Sequence, residues 1–134
     1  MSEKPNIYDF EEYAKNNPYM YHNHVETVSV SEDSVRVKVK LVPESINLHG
    51  YVHGGLIYSM ADIACGIHSR TDGGEYVTQS SHINYLSNVQ EGEIYCDTEI
   101  IKRGRTLVII HFRVTDETGK LLADGVVDYI RKRG

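Results

Sequence analysis

One segment alone, from about Gly54 to Arg70, holds apolar residues at a helical period for long enough to predict a long helix. At about 100° per residue, Leu56, Met60, Ile63, Ala64 and Ile67 form one stripe, with Ile57 and Ala61 at its edge. Tyr58, Ser59, Asp62, Cys65, Gly66 and Ser69 form the opposite face. That face is small and mildly polar rather than charged, so it is expected to meet another surface instead of bulk water. Gly66 lies one turn beyond Asp62 and, lacking a Cβ, leaves space beside the carboxylate.

Everything around this helix reads as short helix or antiparallel sheet. Tyr8 to Lys15 predicts a short helix within residues 7–16, stopped by Asn16-Asn17-Pro18. Val25 to Val30 predicts a strand, with His22 and His24 at its start as surface residues. Ser31-Glu32-Asp33-Ser34 turns it into Val35, Val37, Val39 and Leu41, which alternate with Arg36, Lys38 and Lys40. After Thr71-Asp72-Gly73-Gly74 come extended runs at Tyr76–Leu86, Glu93–Lys102, Thr106–Thr115 and Leu121–Ile130. The tight turn Lys102-Arg103-Gly104-Arg105 joins the second and third of these. The expected class is α+β: one domain over residues 1–134, core at about 25–130, with an antiparallel sheet covered by a single central helix.

Composition narrows the chemistry. A net charge of -5 gives no reason to expect nucleic-acid binding. The two cysteines, Cys65 and Cys96, are too few for a disulfide framework and fit a reducing compartment. Cys65 is expected to be a small buried residue. With no membrane-length apolar run, and no signal pattern in Met1-Ser-Glu-Lys-Pro, the expectation is a soluble cytoplasmic protein without a membrane partner. His49 and His53 stand four apart, but glycines interrupt the segment and no third ligand is evident, so no metal is expected.

The chemistry gathers at the start of the long helix. Gly54 and Gly55 open it, and a helix start offers free N–H groups and the positive end of a dipole, suited to a developing oxyanion. Asp62 is the lone acid two turns inside. The pattern Asn47-x5-His53-Gly54-Gly55-x6-Asp62 is extended by Thr78, Tyr85-Leu86, Gly92-Glu93 and Gly104-Arg105-Thr106. Over roughly Val25 to Ile130 the chain resembles the hotdog-fold acyl-CoA thioesterases, and most of all the PaaI-like subgroup. It departs from them at Asn88, where such proteins often carry proline.

The resemblance implies an antiparallel sheet wrapped around the central helix, and hydrolysis of acyl-CoA thioesters to free acid and CoA. It implies that the Gly54 N–H polarises the thioester carbonyl and that Asp62 attacks, directly or through water. Asn47 and Thr78 would position the water or the carboxylate, and His53 would contact the reacting group. Ser80 competes with Thr78 for the hydroxyl position, because the loop between Asp62 and this strand varies in length in the family. Thr78 shares a strand face with Ser80 and His82 and reads equally as a half-exposed strand residue. Coenzyme A enters only as part of the substrate, and no separate cofactor is implied.

Helical rise adds a constraint of its own. Gly54 and Asp62 are separated by eight residues, about 12 Å along one helix, yet both must reach one reacting centre within about 3 Å. If both are catalytic, they come from different subunits, with antiparallel helices across a two-fold axis. The resemblance implies the same homodimer, often doubled into a tetramer.

Lys102, Arg103 and Arg105 at one hairpin, or Arg131, Lys132 and Arg133 near the C-terminus, are candidates to grip the CoA phosphates. Both clusters are equally what solvated chain turns and ends carry. The competing reading of Asn47 is a turn residue stabilising the helix entry, and that of Asp62, taken without the resemblance, a surface or structural acid. The competing functions are a non-catalytic acyl-CoA-binding module, a hotdog hydratase or dehydratase, and a plain scaffold protein.

Overall fold

The computed structural model describes residues 6–133; Met1–Pro5, read above for a signal pattern, lie outside it. Asp9 caps α1 (Phe10–Lys15) by accepting from the Glu12 N–H. Pro18 stops α1 and also opens a second helix that the sequence reading missed, α2 (Pro18–His22). Proline lacks the N–H that a first helical position leaves unpaired anyway, so the residue that ends one helix can begin the next. His22 accordingly ends α2 instead of entering a strand.

The strands are β1 (Val25–Val30), β2 (Val35–Lys40), β3 (Tyr76–Tyr85), β4 (Glu93–Arg103), β5 (Leu107–Asp116) and β6 (Leu121–Arg131). They form one antiparallel sheet in the order β1-β2-β4-β5-β6-β3. The long helix α3 (Gly54–Ser69) follows β2 and carries the chain across the sheet to β3 on the far edge. The expected α+β class and the β1–β2 hairpin are both present.

Period-two alternation aims Val35, Val37, Val39, Ile94, Cys96, Val108, Ile110, Phe112, Val114, Val127 and Tyr129 at one face, where all are buried. Gly125 belongs there because a Cβ would stand 2.0 Å from the His82 carbonyl oxygen and 2.7 Å from the Phe112 ring. No side chain fits at that crossing.

The buried arc of α3 is wider than the predicted stripe. Ile57, Met60, Ala61, Ala64, Cys65, Ile67, His68 and Ser69 are buried, whereas Ile63 is only half-buried. Cys65 and Ser69 therefore lie on the covered side, not on the small polar face. A sheet wrapped around a helix covers more than a single stripe, and small residues are what permit the close approach. Accessible along α3 are Gly55, Tyr58, Ser59, Asp62 and Gly66, with Ile63 beside them. No helix among the described residues is long and apolar enough to cross a membrane.

His68 is fully buried, Nδ1 2.8 Å from the Thr98 hydroxyl and Nε2 2.9 Å from the Glu32 carbonyl oxygen. Burial pushes its imidazole below the ordinary 6.5, outweighing the carbonyl contact, and the Arg103 charge adds to the lowering. The unfolded chain takes up a proton that the folded chain refuses, so stability falls as pH drops through about 6.5. The thermal midpoint is expected to decline between about pH 7 and pH 5, and less steeply in His68→Gln; calorimetry across that range checks this.

Candidate active site

The start of α3 is fixed from several sides. Val52 donates its N–H to the Val89 carbonyl (3.0 Å) and His53 to that of Ser45 (2.9 Å). Asn88, where proteins of the resembled family often carry proline, donates from its amide to the Val52 carbonyl at 3.1 Å, which proline could not do. His53 caps the helix, its Nδ1 accepting the Gly55 N–H at 2.9 Å. Tyr85 donates its hydroxyl to the Gly54 carbonyl at 2.8 Å. The Gly54 N–H itself meets no acceptor among the described residues. It is one of the free donors of a helix start, held on a rigid frame.

Asn47 closes the loop before the helix, its Oδ1 accepting from the N–H groups of His49 (2.9 Å) and Tyr51 (3.2 Å). This is the turn role weighed for it above, and it leaves the side-chain amide N–H groups without an acceptor among the described residues.

Asp62 lies two turns on, half-exposed, in a separate depression. Thr78 donates its hydroxyl to Asp62 Oδ1 at 2.9 Å. Tyr129 brings its phenol within 2.7 Å of both Oδ1 and the Asp62 main-chain carbonyl. Ser80 does not share this side. A β-bulge between Thr78 and Ser80 breaks the alternation, so Ser80 pairs opposite Asp128 and donates to its carboxylate at 2.9 Å. The assumption that Thr78, Ser80 and His82 face one way is thus corrected, since an inserted residue cannot be seen in a period-two pattern. The hydroxyl that reaches Asp62 is that of Thr78.

A cavity of about 330 Å³ opens beside Asp62, lined also by Thr78 and Tyr129 and roofed by Tyr13, Asn17, Tyr19 and Met20. A wider groove of about 830 Å³ lies at the helix start against His53 and Gly55. Tyr19 lines both, and its hydroxyl meets that of Ser59 at 2.7 Å. The two halves of the sequence motif therefore occupy two depressions in one chain.

At the β4–β5 turn the three cations separate. Arg103 points inward, paired with Asp72 at 3.0 Å and donating to the Ser69 (3.0 Å) and His68 (3.3 Å) carbonyls at the end of α3. Lys102 and Arg105 are exposed. Arg131 also pairs with Asp72, at 3.1 Å. Cys65 is buried, and burial pushes its thiol far above the ordinary range, as expected of an inert packing residue.

Sequence reasoning missed Tyr129 and the α2 roof, and it carried Tyr85 as part of the motif without a role. The composition shows ten tyrosines, but only strand register sets Tyr129 opposite Thr78.

The sequence pattern of the thioesterase superfamily matches residues 49–123, more than half of the chain and including both Gly54 and Asp62. The chain belongs to the thioesterase superfamily. It is similar to acyl-coenzyme A thioesterase 13 of Homo sapiens, 30% identical over 102 residues that cover 73% of each protein. Among solved structures it is similar to a Streptococcus mutans protein bound to acetyl-CoA (TM-score 0.77, 28% identity, covering 81% of this chain and 88% of that one). The phenylacetic acid degradation protein PaaI of Thermus thermophilus, in a mutant form, superposes with TM-score 0.81 at 24% identity, covering 86% of this chain and 99% of that one. The sheet with its one long covering helix is thus the hotdog fold of this superfamily, and the protein is a thioester hydrolase.

Proposed function

We propose that this thioesterase hydrolyses acyl-CoA esters to a free carboxylic acid and CoA, at a site completed by two copies of the chain. The observation that carries the reading is the pairing of a free, rigidly held N–H at Gly54 with a hydroxyl-bound carboxylate at Asp62, eight residues along one helix. That separation, about 12 Å, exceeds the span of a reacting carbonyl, so each centre takes Gly54 from one subunit and Asp62 from the other.

A second copy has a surface to pair with. β3 is an edge strand of ten residues bonded on one side only, to β6. It contains no Lys, Arg, Asp, Glu or Pro, and Val77 on it is 53% exposed. An edge lacking those protective residues is a template for strand pairing. Two-fold pairing there is the arrangement that sets two α3 helices antiparallel.

In the reaction, the Asp62 carboxylate takes a proton from a water whose oxygen bonds to the thioester carbon. The carbonyl oxygen becomes an oxyanion on the Gly54 N–H of the other subunit. Collapse breaks the C–S bond, and the departing CoA thiolate takes the proton held on Asp62, which restores the carboxylate. Direct attack by Asp62 gives a mixed anhydride that water then opens, with the same products. The free amide of Asn47 is assigned to hold water, and His53, which lines the groove at the helix start, to contact the reacting group.

Lys102 and Arg105 are assigned to the CoA phosphates, with Arg103 fixing their hairpin to the end of α3. Replacing both by alanine is expected to raise KM for acyl-CoA about tenfold with kcat little changed. The same variant should act normally on an acyl-pantetheine ester, which lacks the nucleotide phosphates. Steady-state kinetics on the two ester types checks this.

Thiol release from a panel of aryl, short-chain and medium-chain CoA esters tests the function. A kcat/KM above about 10⁴ M⁻¹s⁻¹ on at least one ester is expected. Binding of CoA esters without thiol release from any of them would instead identify a non-catalytic acyl-CoA-binding module.

A further inference from the structure

Beneath Asp62 the sheet supplies not one hydroxyl but two, from residues directly opposite each other on neighbouring strands. Thr78 of β3 stands in register with Tyr129 of β6. Thr78 donates to Asp62 Oδ1 at 2.9 Å, and the Tyr129 phenol lies 2.7 Å from the same oxygen. Asp62 Oδ2 takes no hydrogen bond among the described residues. The phenol is also 2.7 Å from the main-chain carbonyl of Asp62, so it fixes side chain and helix backbone together.

Three features of the chain converge on this arrangement. The bulge after Thr78 turns Ser80 outward while Thr78 stays opposite Tyr129. Gly66 packs beside the ring, where a Cβ would stand 3.6 Å from the phenol oxygen, at ordinary contact distance. Tyr129 is only 2% exposed. Burial, then the neighbouring Cys65 and Asp62, push its hydroxyl far above the ordinary 10, so it stays protonated and remains a donor.

We infer that Tyr129 is a positioning residue for the hydrolysis proposed above: with Thr78 it ties down Oδ1 and leaves Oδ2 as the oxygen that works on water or substrate. The inference rests on that proposed reaction. A carboxylate free to spin would present either oxygen at random, whereas one with two donors on a single oxygen presents the other in one direction. The free oxygen belongs to the residue that lines the 330 Å³ cavity.

Tyr129→Phe keeps the ring that fills the core and removes only the hydroxyl. Its kcat is expected to fall about tenfold or more, with KM and the affinity for a non-hydrolysable CoA thioether changed less than about twofold. Thr78→Val is expected to act on kcat in the same way and Thr78→Ser to restore it. Because both donors hold one oxygen, Tyr129→Phe and Thr78→Val combined should depart from the product of the single effects. A kcat loss under about threefold in Tyr129→Phe overturns the inference. So does a loss matched by weaker thioether binding, or a variant that no longer unfolds cooperatively, either of which assigns the tyrosine to packing. If the wild-type protein releases no thiol from any ester, the proposed reaction fails instead. Turnover abolished by Asp62→Asn but untouched by Tyr129→Phe would sink the inference about Tyr129 alone.

Discussion

Asp62→Asn is expected to lower kcat by about 10³-fold or more while fold, subunit assembly and CoA-ester affinity stay as they are. The amide has the shape of the carboxylate but neither takes a proton from water nor attacks a carbonyl, and removing a positioned base costs about 10² to 10⁴-fold. The surroundings argue that the loss is chemical. Thr78 and Tyr129 are donors to Oδ1 at 2.9 and 2.7 Å, and they would hold the amide oxygen equally well, setting its nitrogen where Oδ2 stands. Asp62 forms no ion pair among the described residues, so no partner is left with an unmatched charge. Single-turnover thiol release beside thioether binding separates chemistry from affinity. Retention of most of the activity would make Asp62 a structural acid on the helix surface.

The second large effect is expected at Gly54, and it depends on choosing the right substitution. Gly54→Ala keeps the N–H and adds a Cβ 3.3 Å from the end of the Tyr85 ring, tight but against a side chain that is 51% exposed and can give. Gly54→Pro removes the N–H and closes the nitrogen into a ring, adding two methylenes beyond the Cβ. Proline suits the first position of a helix, and the preceding His53, at φ -63 and ψ 130, already has the extended backbone that proline requires before it. The difference between the two variants therefore reports the loss of the donor together with the ring carbon that takes its place. Loss of one oxyanion donor costs about 10² to 10³-fold in kcat, so Gly54→Pro should fall by that factor below Gly54→Ala. Equal activities would show that the N–H does not stabilise the reaction.

Much of the molecule is legible in the sequence because its local signals agree with the final packing. Val35, Val37 and Val39 alternate with charged residues and form the strand they predict. The acid and the two glycines of α3 stand out through the resemblance of the whole pattern around them, not through their spacing alone. What stays hidden depends on how separate segments meet. Pro18 looks like a stop, and only the packing of α2 beside Asp62 reveals that it is also a start. Ser80 looks equivalent to Thr78 until an inserted residue turns it to the other side. Arg103 looks like its neighbours in the turn, yet Asp72 and the carbonyls at the end of α3 draw it inward. Tyr129 carries no local mark, and only the register of β3 against β6 places it under Asp62.

The claim that two chains complete each site is tested most directly by mixing two inactive proteins. Asp62→Asn and Gly54→Pro subunits, exchanged by mild denaturation and refolding and verified by native mass spectrometry, would form mixed dimers for half of the population. Each mixed dimer then holds one doubly defective site and one site with an intact Gly54 from one subunit and an intact Asp62 from the other. Thiol release should recover to about a quarter of the wild-type specific activity. If verified mixed dimers release thiol no faster than the two variants assayed apart, the site lies within a single chain and the composite arrangement is wrong.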